Sequence, residues 1–390
     1  MNVSKPIIKL RQRVAEYGEI EKSLLDTSFN KPKILSLFSG CGGLDLGFHI
    51  AGYETVWAND FSHWACESFR KNIGDVIVEG DIEQINPNDK SIPDCDIILG
   101  GFPCQDFSMI WKQPGLNGER GNLYKSFLRF VNAKKPKVFV AENVKGLLTA
   151  NKKKAIQQII TDFENCGYYV QAKLYNFAEF GVPQFRERVL IVGIRLDTGF
   201  DFHHPKPTHN ENGTDGLKPF VTAGQAVSNI PKNATNSEQM KISDKTRCML
   251  EKIPEGGNFT DIPKNDPLYV KGMISHVYRR IHRNEPSKTI IAAGGGGTWG
   301  YHYPEPRALT NRERARLQSF PDDFEFIGST TEVRRQIGNA VPPQGVVELA
   351  KAILPIFSNN YERVDLYEKL ETEKAGVFQE RLNKIRGGKR

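Results

Sequence analysis

An α/β fold, a doubly wound and mostly parallel sheet with a smaller loop-rich unit attached, is what this sequence predicts. Three observations carry it. Short apolar runs alternate with amphipathic stretches from about residue 33 to 195, a glycine-rich turn follows the first run, and the alternation stops near Leu196. Strands that alternate with helical patterns imply βαβ units, and those units pair in parallel.

The apolar runs are KILSLF (33–38), ETVWA (54–58), DIILG (96–100), KVFVAE (137–142) and RVLIVG (188–193). Between them, Asn122–Ala133 and Lys153–Cys166 have helical spacing. Residues 1–30 read as a polar, partly helical extension, and 31–195 as the first α/β segment. Residues 196–305 form the loop-rich unit, because Pro, Asn, Gly and Thr crowd it and periodicity is lost. Helical patterns at Thr310–Gln318 and Gln344–Leu354 return the chain to the first segment over 306–358. The charged tail, 359–390, reads as an exposed helix.

Composition narrows the classes. The chain has 390 residues, 39% hydrophobic, 25% charged and 10% aromatic, which fits a globular protein and not a disordered one. Runs of ~18 apolar residues are missing, so no membrane partner is expected. Met1–Arg13 lacks the apolar stretch of a secretory signal. Six scattered cysteines without a CxxC pair argue against a disulfide framework or zinc site and place the chain in a reducing cytoplasm. His203, His204 and His209 lie among prolines without acidic or Cys partners, so a linker is expected there and no metal. Net charge is +7, and Lys271–Arg316 carries nine Lys/Arg against three Asp/Glu. That stretch reads as a surface that meets phosphate.

The segment Phe38-Ser39-Gly40-Cys41-Gly42-Gly43-Leu44 follows a strand and precedes a helix. Glycines there permit a tight turn and close approach to a ligand, and the helix start offers free N–H groups. Asp60 ends the second strand, twenty positions after Gly40, where ribose hydroxyls are usually gripped. Asp81 and Ile82, near the end of a third strand, are candidates for an adenine edge. Strand DIILG runs into Gly101-Phe102-Pro103-Cys104-Gln105, which puts a thiol where ligand sites lie in open α/β sheets. Glu142 ends the next strand and projects toward the same crevice. Arg186 and Arg188 alternate on one strand and share a face, aimed at an anion or at Glu142.

The order FSGxGG, Asn59-Asp60, GFPCQ, ENV, QxRxR, then Arg307–Pro321 and Gln336–Pro343, resembles the DNA cytosine-5-methyltransferases. The resemblance covers 33–195 and 286–350 and implies a Rossmann-like, S-adenosylmethionine-dependent methyltransferase of restriction-modification type. It implies a base flipped out of duplex DNA, with Cys104 as the nucleophile at cytosine C6. Glu142 would bond N3 and the exocyclic amine, Arg188 would contact O2 and hold Glu142, and Arg186 would support both. Phe38, Ser39, Gly40, Gly42, Gly43, Leu44, Asp60, Asp81, Ile82, Pro103, Asn339 and Ala340 match cofactor-pocket positions. S-adenosylhomocysteine is the implied product.

DNA contacts are expected from Phe102, Gln105, Ser108, Lys112, Arg279, Arg280, Arg283, Thr289, Gly296, Gly297 and Thr298. The implied protein is monomeric and cytoplasmic, with a restriction endonuclease as genetic partner. An RNA cytosine-5 methyltransferase is the alternative, and Gln105 after the Pro-Cys pair favours DNA. A catalytically dead DNA-binding regulator is the other rival, and intact chemical positions count against it.

Overall fold

The computed structural model describes residues 31–103, 123–269, 271–272, 277–292, 300–358, 361–375 and 385–386. Seven strands build the main sheet: β1 (Lys33–Leu37), β2 (Glu54–Asp60), β3 (Ile77–Glu79), β4 (Ile97–Gly100), β5 (Val138–Val144), β6 (Tyr168–Asn176) and β7 (Glu187–Arg195). Their spatial order is β3-β2-β1-β4-β5-β7-β6. All neighbours pair in parallel except β7, which is antiparallel to both β5 and β6. The mostly parallel, doubly wound sheet is as expected. β6 joins it although Gln171 and Lys173 interrupt the apolar run of YYVQAKLYN.

Side-chain alternation explains the two layers. Ile34, Leu99, Val140 and Val192 feed one core, while Leu35, Ile98, Phe139 and Ile191 feed the other. Strands buried on both faces read as continuous apolar runs. Helix α1 (Gly43–Ile50) covers the first layer. Helices α3 (Leu123–Lys134) and α4 (Lys154–Asn165) cover the second, and α2 (His63–Asn72) flanks β2. In α4, Ala155, Ile156, Ile159, Ile160 and Phe163 make the buried stripe, and Gly167 in left-handed conformation stops the chain for β6.

The returning segment supplies α5 (Asn311–Leu317), α6 (Thr330–Asn339) and α7 (Pro343–Ile353). Thr310 and Glu313 close a capping box that fixes where α5 starts. A Cβ at Gly47 would come within 2.4 Å of Val346, so a glycine lets α1 and α7 approach. Helix α8 (Leu366–Ala375) corrects the expectation of an exposed tail. Leu366 and Leu370 are buried in the first core, and Tyr169 donates to Glu373 at 2.7 Å. Apolar residues four apart on a charged helix are enough to dock it. The polar extension, 1–30, lies outside the described residues.

Between β7 and α5 the described chain is mostly loops with short helices at Ala223–Val227 and Asp244–Lys252. A separate apolar cluster gathers Met249, Leu250, Ile253, Phe259, Ile262, Tyr278, Tyr301 and Ala308. Arg312 ties this region to the core. It is fully buried and donates to the carbonyls of Thr235, Pro321 and Phe324 at 2.9, 3.0 and 2.7 Å.

Candidate active site

The β1, β4 and β5 strand ends lie side by side, with Leu37 in register with Gly100 and Gly100 with Ala141. The glycine turn, the Gly101–Pro103 exit and Glu142 therefore leave the sheet along one edge.

The turn is built as expected. Phe38, Gly40 and Gly42 all have positive φ, and a side chain at Gly40 would meet open space. Ser39 donates through N–H and hydroxyl to the Asn59 carbonyl, at 3.1 and 3.2 Å. Asp60 accepts the Gly40 N–H and the Ser62 N–H, each at 2.8 Å. Burial pushes its carboxyl upward, opposed by those N–H groups. Gly43 and Leu44 face inward instead of toward a ligand: a Cβ at Gly43 would strike the Val341 carbonyl at 2.4 Å, and Leu44 is in the first core.

Asp81 is exposed and caps a short turn by accepting the Glu83 N–H at 2.9 Å. Ile82 is buried beside it. Asn339 is exposed and Ala340 half-buried at the end of α6, whose Gly338 packs against the backbone of Ala292.

Phe61 escaped notice in the sequence. It follows Asp60 and leaves 78% of its surface exposed. An exposed aromatic ring offers a flat apolar face on which a ring could stack. Its signal was its place directly after the acid that ends β2.

Under the turn lies a polar network. Asp45 accepts the hydroxyls of Ser36 and Thr55 at 2.8 and 2.9 Å, and His49 sits 2.9 Å from the Thr55 hydroxyl. Burial pushes the Asp45 carboxyl up to about 6.

The central pair is Glu142 and Arg188. Arg188 Nε stands 2.9 Å from Glu142 Oε1, with side chains 14% and 13% exposed respectively. In the antiparallel β5–β7 register Arg188 sits opposite Val144, diagonal to Glu142, which places both on one face. A Cβ at Gly101 would lie 3.1 Å from Glu142 Oε2, so the carboxyl reaches the exit of β4. Asn143 donates to the Phe102 carbonyl at 2.9 Å and is buried. It thereby fixes the chain just before Pro103, which is exposed. Reading only the acid in that strand end passed Asn143 over.

Cys104, Gln105, Ser108 and Lys112 lie outside the described residues, as do Gly296, Gly297 and Thr298.

Four further expectations need correction. Arg186 does not join Arg188 at Glu142: it is 1% exposed and bonds the carbonyls of Ile290, Gly338 and Ala340. Burial lowers it to about 9, with Arg188 adding to that and Glu142 opposing. Residue 186 lies between the two-residue pairing of Gln184–Phe185 and the start of β7 at Glu187, so strand alternation does not govern it. Phe102 is only 2% exposed and packs against Tyr124 and Phe127, which leaves its ring no face for DNA. Arg280 is buried and donates to the carbonyls of Leu250, Ile253, His302 and Tyr303.

The basic stretch as a whole is the fourth. Arg312 and Arg314 are buried, Arg307 pairs with Glu313 at 2.7 Å, and Arg316 pairs with Asp322 at 2.6 Å. Arg283 is half-exposed but bound to Glu255 at 3.0 Å and lies over Tyr303. Arg279 is half-buried. Thr289 is exposed and donates to the Phe185 carbonyl at 2.8 Å.

A glycine-lined turn, an acid at the second strand end and a charged pair at the fifth define an α/β methyltransferase. The family model for C-5 cytosine-specific DNA methylases matches residues 32–355. The chain belongs to that family and is a DNA (cytosine-5-)-methyltransferase. It is similar to the Type II methyltransferase M.NgoFVII of Neisseria gonorrhoeae, 88% identical over 367 residues, covering 94% of this chain and 98% of the relative. It is also similar to M.BbvI of Brevibacillus brevis, 44% identical over 345 residues, with 83% and 90% covered. Among solved structures, a prophage-encoded DNA modification methyltransferase of E. coli shares the fold with TM-score 0.64 at 22% identity, covering 84% of this chain and 100% of that one.

Proposed function

We propose that this enzyme moves a methyl group from S-adenosylmethionine to C5 of a cytosine flipped out of duplex DNA, with Cys104 as covalent nucleophile. The observation that carries the reading is the Glu142–Arg188 pair at 2.9 Å, held beside Gly101 at the exit that leads to Cys104. Chain order supports Cys104 as well, because it directly follows the exposed Pro103. Two thiols near the glycine turn are unsuited: burial pushes Cys41 and Cys66 each up to about 12, so neither supplies a thiolate near neutral pH.

The residues present fit the cofactor. Open space at Gly40, the exposed ring of Phe61 and the exposed carboxyl of Asp81 line one rim. When bound, S-adenosylmethionine supplies an electrophilic methyl on a sulfonium. Phe61 offers a face for a purine, and Asp60 keeps lone pairs for ribose hydroxyls beyond the two N–H groups it accepts. Ala340 packs beside the glycine turn, its Cβ 3.3 Å from where a Gly43 Cβ would stand, and Asn339 precedes it.

Cytosine C5 is a poor nucleophile in an electron-poor ring. Addition of the Cys104 thiolate to C6 makes an enamine whose C5 can attack. With the methyl on C5 and S-adenosylhomocysteine released as a neutral thioether, loss of the C5 proton to water would return its electron pair to the C5–C6 bond and expel the Cys104 thiolate, so one hard step becomes two easier ones. Glu142 shares a proton with N3 and accepts from the exocyclic amine, which draws electron density from C6 as sulfur approaches. Arg188 holds that carboxyl and contacts O2. Extruding the base costs a few kcal/mol of stacking and pairing.

Residues 196–305 serve as the target-recognition unit, with Thr289 at the DNA backbone. The enzyme acts in the cytoplasm as the protective methylase of a type II restriction-modification system. Its relatives' description as Type II methyltransferases supports that role. The test is label transfer from S-adenosylmethionine to duplex DNA, followed by bisulfite sequencing. Methylated cytosines in one sequence context, lost in Cys104→Ser, are expected. Label on tRNA and none on DNA would overturn the reading.

A further inference from the structure

Arg186 touches three segments at once. Its Nη1 donates to the Ile290 carbonyl at 3.2 Å, and its Nη2 to the carbonyls of Gly338 and Ala340, each at 3.0 Å. Ile290 follows Thr289, while Gly338 and Ala340 flank Asn339. Two residues along the chain stands Arg188, paired with Glu142.

Neighbouring bonds make the junction stiff. Gln184 accepts the Ile290 N–H at 2.8 Å and donates to the Leu317 carbonyl at 3.1 Å and to Gln318 at 2.9 Å. Gln318 donates in turn to the Ile337 carbonyl at 2.6 Å. Across the junction, a Cβ at Gly338 would lie 2.2 Å from the Ala292 nitrogen, so α6 and the 290–292 backbone are in direct contact. Both glutamines are fully buried, so water does not compete for these bonds.

We propose that Arg186 is a positioning residue that couples the cofactor side of the crevice to the DNA side. The inference rests on the reading of the two sides given above. A duplex that engages Thr289 orders the Ile290 carbonyl. The planar guanidinium passes that order to the Gly338 and Ala340 carbonyls, whose placement sets Asn339. Either ligand thus pre-arranges the junction that the other needs, and such coupling is reciprocal. Lysine cannot replace it: an ammonium is a compact point charge and does not span carbonyls on opposite ends of a guanidinium.

The test measures S-adenosylhomocysteine affinity by calorimetry, with and without a duplex carrying the enzyme's own methylation site, mapped beforehand by bisulfite sequencing. The wild type should bind the nucleoside roughly 5- to 150-fold more tightly when the duplex is present. In Arg186→Lys that ratio should collapse toward one. A purely structural role would lower thermal stability or free-enzyme affinity and leave the ratio alone. Should Arg186→Lys fail to fold, hydrogen exchange on the wild type reads the junction directly: adding the duplex alone should slow the amides of residues 338–340, and unchanged exchange there would overturn the coupling.

A wild-type ratio of one, or a variant ratio equal to the wild type's, overturns the coupling. An enzyme that labels DNA but shows no such ratio refutes the coupling alone. An enzyme that labels no DNA refutes the functional reading instead.

Discussion

The strand-end crevice and the 271–316 stretch are both rich in charge, and they use it in opposite ways. At the crevice, Glu142 and Arg188 hold each other at the rim and keep part of their surface toward solvent. In the basic stretch, Arg280, Arg312 and Arg314 turn inward. Arg280 and Arg312 bond backbone carbonyls of chain segments that lack strand partners. An irregular unit leaves many carbonyls outside any ladder, and each must find a donor. A guanidinium carries five N–H groups and stays charged, so one side chain satisfies several carbonyls. Positive charge counted along a sequence is therefore not a positive surface.

Breaking the crevice should have the largest effect. Glu142→Gln keeps the shape but alters the hydrogen bonding at N3, and activity should fall by roughly 10²–10⁴. Its melting temperature should stay near that of the wild type. Steady-state methyl transfer and a thermal melt check this, and retained activity would remove Glu142 from the chemistry.

Breaking the arginine framework should instead cost stability. Arg312→Met removes the shared donor of three carbonyls, of which that of Phe324 is buried, a loss on the order of 3 kcal/mol. The salt dependence of DNA binding should keep its slope, because Arg312 meets no phosphate. A shallower slope in a fully folded variant would return this residue to the DNA surface.

Asp45, beneath the glycine turn, sharpens the contrast through pH. Its carboxyl titrates near 3.8 when unfolded and near 6 in the fold. The raised native value means that its stabilising contribution is present below about 4 and is lost as pH rises through 6. Asp45→Asn should erase that slope and recover up to about 3 kcal/mol at pH 7. Melting temperatures from pH 4 to 8 measure it; parallel profiles for the two proteins would contradict it.

The smallest effect belongs to Lys288, exposed beside Thr289 and lying over Phe185. Lys288→Ala should lower the slope of log affinity against log salt by at most ~0.9, the share of one phosphate. A melt should show no change, and an unaltered slope would take Lys288 off the DNA.

The catalytic half was legible because its chemistry sits in local patterns. Strand runs are apolar, the glycine turn has fixed spacing, and Glu142 interrupts an otherwise apolar strand. What escaped depended on tertiary partners. Arg186 looks equivalent to Arg188 along the chain, yet its carbonyl partners come from residues 290, 338 and 340. Phe102 looks like a rim residue until Tyr124 and Phe127 close over it. Strand β6 hides because half-buried Gln171 and Lys173 break its apolar run. Leu366 and Leu370 are too few to announce a docked helix until the edge that receives them is known.

Mass spectrometry of the enzyme incubated with a 5-fluorocytosine duplex and S-adenosylmethionine tests whether Cys104 is the nucleophile. Fluorine at C5 cannot leave as a proton, so the thiol should stay bonded to the base, and a peptide containing Cys104 should carry the nucleotide. A covalent complex at another residue, or none under conditions where ordinary DNA becomes methylated, would contradict the account.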